Sequence, residues 1–197
     1  MYKKQLQFQK IICLVAIILA VIFFIYALGV ITDIHDALKS TMRDKNDFTK
    51  TKVEGSIIYY DMQDFNKSFV NYSVILILLG CLLFVTNTQI RRKYYIGNYV
   101  AIFLYCAAAV ALTIWMHNNL AAFAEQYMTT VNFEQLLEYS EMWGTPYLDN
   151  TNLLDLHYYV GGFAILVVAA HIGNVIWKIT LMRAENKLIK AGEEAAV

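Results

Sequence analysis

Hydrophobic and polar positions along this chain fall into long blocks. Residues 11–32, 68–90, 94–124 and 156–177 contain no Asp, Glu, Lys or Arg. Each run reaches the roughly 20 apolar residues a helix needs to cross ~30 Å of hydrocarbon. The pattern predicts an all-α integral membrane protein, a four-transmembrane-helix bundle with spans at about residues 11–32, 68–90, 96–117 and 157–180. Residues 1–197 read as a single membrane domain, with outer loops 33–67 and 118–156 and a tail at 181–197.

The polar segments carry their own periodicities. Ile31, Ile34, Leu38 and Met42 recur at helical spacing beside Asp33, Asp36, Lys39 and Arg43, so the first span should continue as an amphipathic surface helix. Residues 45–52 are polar and predict a loose stretch. Val53-Glu54-Gly55-Ser56-Ile57-Ile58-Tyr59-Tyr60 places strand-forming residues around a turn signal, which suggests a hairpin or extended segment before helix resumes near Asp61. The link 88–95 has room for a tight turn, making the second and third helices antiparallel neighbours. The third run is longer than a bilayer and should project outward through 121–128. Asn132 followed by Gln135 resembles a capping box opening a short helix at 133–143, and Gly144 and Pro146 fit its end. Asn152 with Asp155 suggests the next cap, opening into the fourth span. These signals predict a small, mostly helical extracytoplasmic cap.

Formal net charge is zero, but its distribution is uneven. Lys3, Lys4 and Lys10 precede the first run, and Arg91, Arg92 and Lys93 separate the second from the third, all without a neighbouring acid. Lys178, Arg183, Lys187 and Lys190 follow the fourth run against Glu185, Glu193 and Glu194. Residues 33–67 mix six bases with seven acids, and residues 125–155 hold six acids and no base. Short basic segments stay in the cytoplasm while long mixed or acidic loops are translocated. Both termini are therefore expected inside, in a multi-pass protein of the cytoplasmic (plasma) membrane. Ala27-Leu28-Gly29 would suit signal cleavage, but the first apolar stretch is long enough to span and is read as a retained helix.

Candidate chemistry is sparse. Cys13, Cys81 and Cys106 lie within spans with no CxxC spacing, and read as structural thiols. The spans carry no Asp, Glu, Lys or Arg of the kind ion-coupled pumps use, and no phosphate-binding glycine loop occurs. His171 stands alone within a span, with Tyr99, Phe103 and Cys106 as expected neighbours. His35, His117 and His157 share the outer membrane level, where three imidazoles near Asp33, Asp36 and Asp155 could ligate zinc or copper.

The segment His157-Tyr158-Tyr159-Val160-Gly161-Gly162, continued by Ala170-His171-Ile172-Gly173, resembles a haem-ligating helix of the cytochrome b family. In that family two histidines fourteen apart each ligate a haem, and glycine gives the porphyrin room. The resemblance covers about twenty residues and implies haem b at His157 and His171. His117 would oppose His157, and a second chain would have to oppose His171.

Two pairs, Ala107 with Ala111 and Ala169 with Gly173, are small-xxx-small spacings. They predict either close packing of the third helix on the fourth or an interface with another protein's helix. Trp143 and Tyr147 in the acidic loop are candidate docking residues. The expected function is a non-catalytic accessory subunit of a larger membrane complex, with an ATP-driven solute importer as one candidate host. Its partners are then the bilayer and other membrane subunits, with no nucleic acid and no obligatory cofactor. A haem- or metal-binding redox protein and a homo-oligomeric tetraspan channel are the alternatives. Asn71, Asn87, Asn98 and Asn174 are scattered, whereas a conducting path needs lined polar positions.

Overall fold

A computed structural model of the chain describes residues 2–42, 51–89 and 94–194, with side chains described to residue 191. Most of the loose polar stretch and the Arg91-Arg92-Lys93 link lie outside the described residues. Among those residues the helices are α1 (Tyr2–Gly29), α2 (Thr32–Lys39), α3 (Ile58–Asn87), α4 (Ile96–Thr130), α5 (Phe133–Trp143), α6 (Asn152–Asp155) and α7 (His157–Glu194). Four stretches are long and apolar enough to cross a membrane: Tyr2–Lys39, Ile58–Asn87, Ile96–Thr130 and Asn152–Ala191. The protein is an all-helical bundle with four candidate spans, one for each uncharged run. The helices overshoot those runs, α1 starting at Tyr2 and α3 at Ile58.

Buried positions explain the overshoot. On α1 they include Gln5, Gln9, Ile12, Ala16, Leu19, Phe23 and Tyr26, in alternating steps of four and three, widened by Cys13, Ala20 and Ala27. On α7 they fall at His157, Gly161, Ala164, Val167, His171, Asn174 and Lys178. This is the buried stripe of a packed helix, and it runs beyond the apolar stretch at the start of α1 and past residue 177 on α7.

The chain divides into two compact units. The first comprises Met1–Val21, Ile75–Ala111 and Gly162–Val197; the second comprises Ile22–Val74 and Leu112–Gly161. In the first unit the Tyr105 hydroxyl donates to the Ala16 carbonyl at 2.7 Å, tying α4 to α1. The second unit is held by aromatic packing: Phe65 stacks on Trp115 at 4.7 Å, and Phe69 meets Phe23, Tyr26 and Trp115 edge-on. Tyr26 is buried, its hydroxyl donating to the carbonyls of Leu153 and Leu154. Tyr26 and Trp115 thus pack against other aromatic rings, whereas Tyr158 and Tyr159 are exposed.

The segment before α3 differs from the sequence expectation. No strand forms at residues 53–60; residues 54–57 turn and helix begins at Ile58. Gly55 has φ +82°, and a Cβ built on it would lie 2.1 Å from the Thr130 carbonyl oxygen. The backbone therefore runs directly against the end of α4, an approach open to glycine alone. Across that contact the Asn132 amide donates to the Glu54 carbonyl at 3.1 Å, and the Glu54 amide donates to Gln135 Oε1 at 3.1 Å. Asn132 caps α5 as expected by accepting from the Gln135 amide. The Gln135 side chain does not close the box but reaches across to Glu54. Gly144 ends α5 at φ +63°, in the left-handed region typical of a helix stop. The next cap is Thr151 rather than Asn152, and it opens the single turn α6 ahead of α7.

Candidate functional site

His35, His117 and His157 do not gather as a group. His117 and His157 meet directly, Nδ1 to Nε2, at 2.9 Å. His157 Nδ1 lies 2.7 Å from the Leu154 carbonyl, an acceptor without a proton, so this nitrogen carries hydrogen. In the neutral pair His157 Nε2 accepts, His117 Nδ1 donates, and His117 Nε2 is left as the open lone pair. His35 goes elsewhere, with Nε2 at 3.2 Å from the Tyr59 hydroxyl and Nδ1 at 3.2 Å from Asp36. Among the described residues no three of His, Cys, Asp and Glu gather as a potential metal-binding group.

The arrangement can be tested against haem. Metal–imidazole bonds are about 2.0–2.1 Å, so two axial nitrogens stand roughly 4 Å apart across the metal. A pair hydrogen-bonded at 2.9 Å leaves no such gap. His171 lies in the first unit and the other histidines in the second. Its ring packs against Tyr105 of α4, with centroids 5.8 Å apart. Its Nε2 is buried with no hydrogen-bond partner. Gly161 does not open a porphyrin cleft, since a Cβ there would lie 3.2 Å from the Thr113 methyl. As arranged, these residues do not fit the group that the cytochrome b resemblance implies.

What the fold assembles is a polar cluster within the first unit. Gln5 Nε2 donates to Gln9 Oε1 at 2.8 Å and to Asn174 Oδ1 at 2.9 Å. Gln9 Nε2 donates to the Asn87 carbonyl, and Lys178 Nζ donates to Gln5 Oε1 at 3.3 Å. Asn98 Nδ2 donates to the Thr86 carbonyl at 2.7 Å. Three of the four asparagines that look scattered in sequence therefore join one network spanning α1, α3, α4 and α7. Lys178, at 1% exposure, sits between the rings of Tyr2 and Tyr94, 5.3 and 5.2 Å from their centroids. Cation–π contact with these two rings helps stabilise the desolvated ammonium. The residues sequence reasoning missed are Gln5 and Gln9; the signal was the four-three spacing that carries the α1 seam back to Gln5.

The small-xxx-small positions lie outside the core. Ala107, Ala111, Ala169 and Gly173 are all exposed. A Cβ added at Gly173 meets nothing within 4 Å. Close approach of α4 and α7 uses Gly161 against Thr113 instead, so the expected Ala107/Ala111 to Ala169/Gly173 packing within the chain does not occur. Trp143 and Tyr147 are exposed too, Trp143 at 64%. They stand on a fixed base: the Tyr139 hydroxyl donates to the Ser40 carbonyl at 2.8 Å, and Tyr127 holds the Leu148 carbonyl at 2.8 Å.

Fold and site together define an all-helical protein with four candidate membrane spans, a buried hydrogen-bonded polar cluster and exposed small residues. Comparison with protein-family models, curated proteins and solved structures finds no match to this chain.

Proposed function

We propose that the chain is a non-catalytic accessory subunit of a larger membrane complex, inserted in the cytoplasmic membrane with both termini inside. The observation that supports it is the exposure of Ala107, Ala111, Ala169 and Gly173. Lipid tails give helices no hydrophobic reason to associate, so membrane interfaces use small residues that let backbones approach. Here such residues face away from the chain's own core. Orientation is supported by charge. The segments of the first unit hold ten of the sixteen Lys and Arg and three of the sixteen Asp and Glu, a formal +7, leaving six and thirteen, a formal −7, in the second.

Purification in mild detergent should bring down stoichiometric partner chains. Ala169→Leu and Gly173→Leu should release them while the isolated chain melts no lower than wild type, because neither position lies in the core and leucine is a good helix former. A wild-type chain running alone, as a monomer or pure homo-oligomer, would overturn the reading.

A further inference from the structure

Two outward helix faces of the first unit change character at the same end. On α1, Ile18, Leu14 and Ile11 are exposed, and the same face continues through Gln7 to Lys4, with Lys3 and Lys10 exposed beside it. On α7, Ile165, Ile172 and Ile176 are exposed, and the face continues as Arg183, Lys187 and Lys190, again all exposed. Spacings of seven, four, seven, four and three keep those α7 residues on one stripe.

The two faces are neighbours. The Tyr2 hydroxyl donates to Glu185 at 2.9 Å, and the half-exposed rings of Phe8 and Trp177 meet at 6.0 Å where apolar residues give way to charge. Paired aromatics at such a level mark a bilayer interface. Among the described side chains of this unit Glu185 is the sole carboxylate, and it is engaged by Tyr2.

We propose that this end of the first unit binds the phosphate groups of anionic phospholipids, with Lys3, Lys4 and Lys10 of α1 and Arg183, Lys187 and Lys190 of α7 facing the headgroups. Basic residues just beyond a span are each drawn to an anionic surface, worth about fivefold in binding per charge. Surface pairing of this kind is screened by salt. The inference rests on insertion in a bilayer and is independent of any protein partner.

The test uses the full chain in mild detergent, with lipid adducts counted by native mass spectrometry. Phosphatidylglycerol should be retained at least about tenfold over phosphatidylcholine offered equally, and the preference should shrink as ionic strength rises. Arg183→Gln/Lys187→Gln/Lys190→Gln and Lys3→Gln/Lys4→Gln/Lys10→Gln should each cut it severalfold, while Lys52→Gln in the second unit leaves it unchanged. Equal retention of the two lipids, or a preference indifferent to salt in the wild-type chain, overturns the proposal whether or not the variants fold. Displacement of phosphatidylglycerol by millimolar inorganic phosphate also overturns it, assigning the site to free phosphate.

Discussion

Gly55→Ala probes how firmly the two long loops are fixed to one another. An L-residue at φ +82° costs about 1–2 kcal/mol in the left-handed region. The new Cβ would begin 2.1 Å from the Thr130 oxygen and 2.8 Å from the Val131 Cα, against an ordinary separation of roughly 3.5 Å. Residues 53–57 must then retreat by about 1 Å or more. That retreat strains the bonds from Asn132 to Glu54 and from Glu54 to Gln135, each contributing about 0.5–1.5 kcal/mol. Together these give about 2–5 kcal/mol against the docked arrangement. Hydrogen exchange in detergent reads the effect locally. Amide protection at residues 53–58 and 130–140 should fall about 30-fold or more, with the middle of α1 unchanged. Protection within twofold of wild type across both segments would refute the close approach on which the reasoning rests.

Two further substitutions test the first unit and the orientation. Gln5→Leu removes the partner of Gln9, Asn174 and Lys178 at once and should lower unfolding free energy in detergent by about 1–3 kcal/mol, while Gln7→Leu on the exposed face stays within about 0.5 kcal/mol. Equal melting of the two variants would sink the network. With Cys13, Cys81 and Cys106 replaced, a cysteine at Trp143 should react with a membrane-impermeant maleimide on intact cells and one at Arg183 only after lysis. The reverse pattern would invert the proposed topology.

The parts of this fold that were legible in sequence are those governed by one helix at a time. Uncharged runs gave the four candidate spans, and Asn132 and Gly144 marked the ends of α5 because capping is a property of adjacent residues. The polar cluster was not legible, since Gln9 meets the Asn87 carbonyl only once the register between α1 and α3 is set. Asn87, Asn98 and Asn174 have no sequence relation that predicts their convergence. The histidines show the same boundary. Reading their depth placed His35, His117 and His157 at one level, but which two would meet depended on helix rotation, and Tyr59 holds His35 apart. Gly55 carried a turn signal, and what made it necessary was a backbone seventy-five residues away.

The buried cluster and the basic faces of the first unit belong to one arrangement. Lys178 could lie at the surface with its neighbours Arg183 and Lys187, yet it turns inward between Tyr2 and Tyr94 and bonds Gln5. A desolvated ammonium is costly unless polar partners surround it, and here the Tyr2 ring and the Gln5 oxygen of α1 and the Tyr94 ring ahead of α4 contribute. Swinging the start of α1 away from α7 would therefore remove the Tyr2 and Gln5 contacts from that charge. Tyr2 adds a second tie at Glu185, withdrawing a carboxylate from the surface. With α1 pinned in this way, Lys3, Lys4 and Lys10 stay beside Arg183, Lys187 and Lys190. A formally neutral chain can in this manner present a concentrated positive surface at one end of a unit carrying +7. Positive charge of that density resists translocation, so the feature that would hold anionic lipid also favours keeping both termini on the cytoplasmic side.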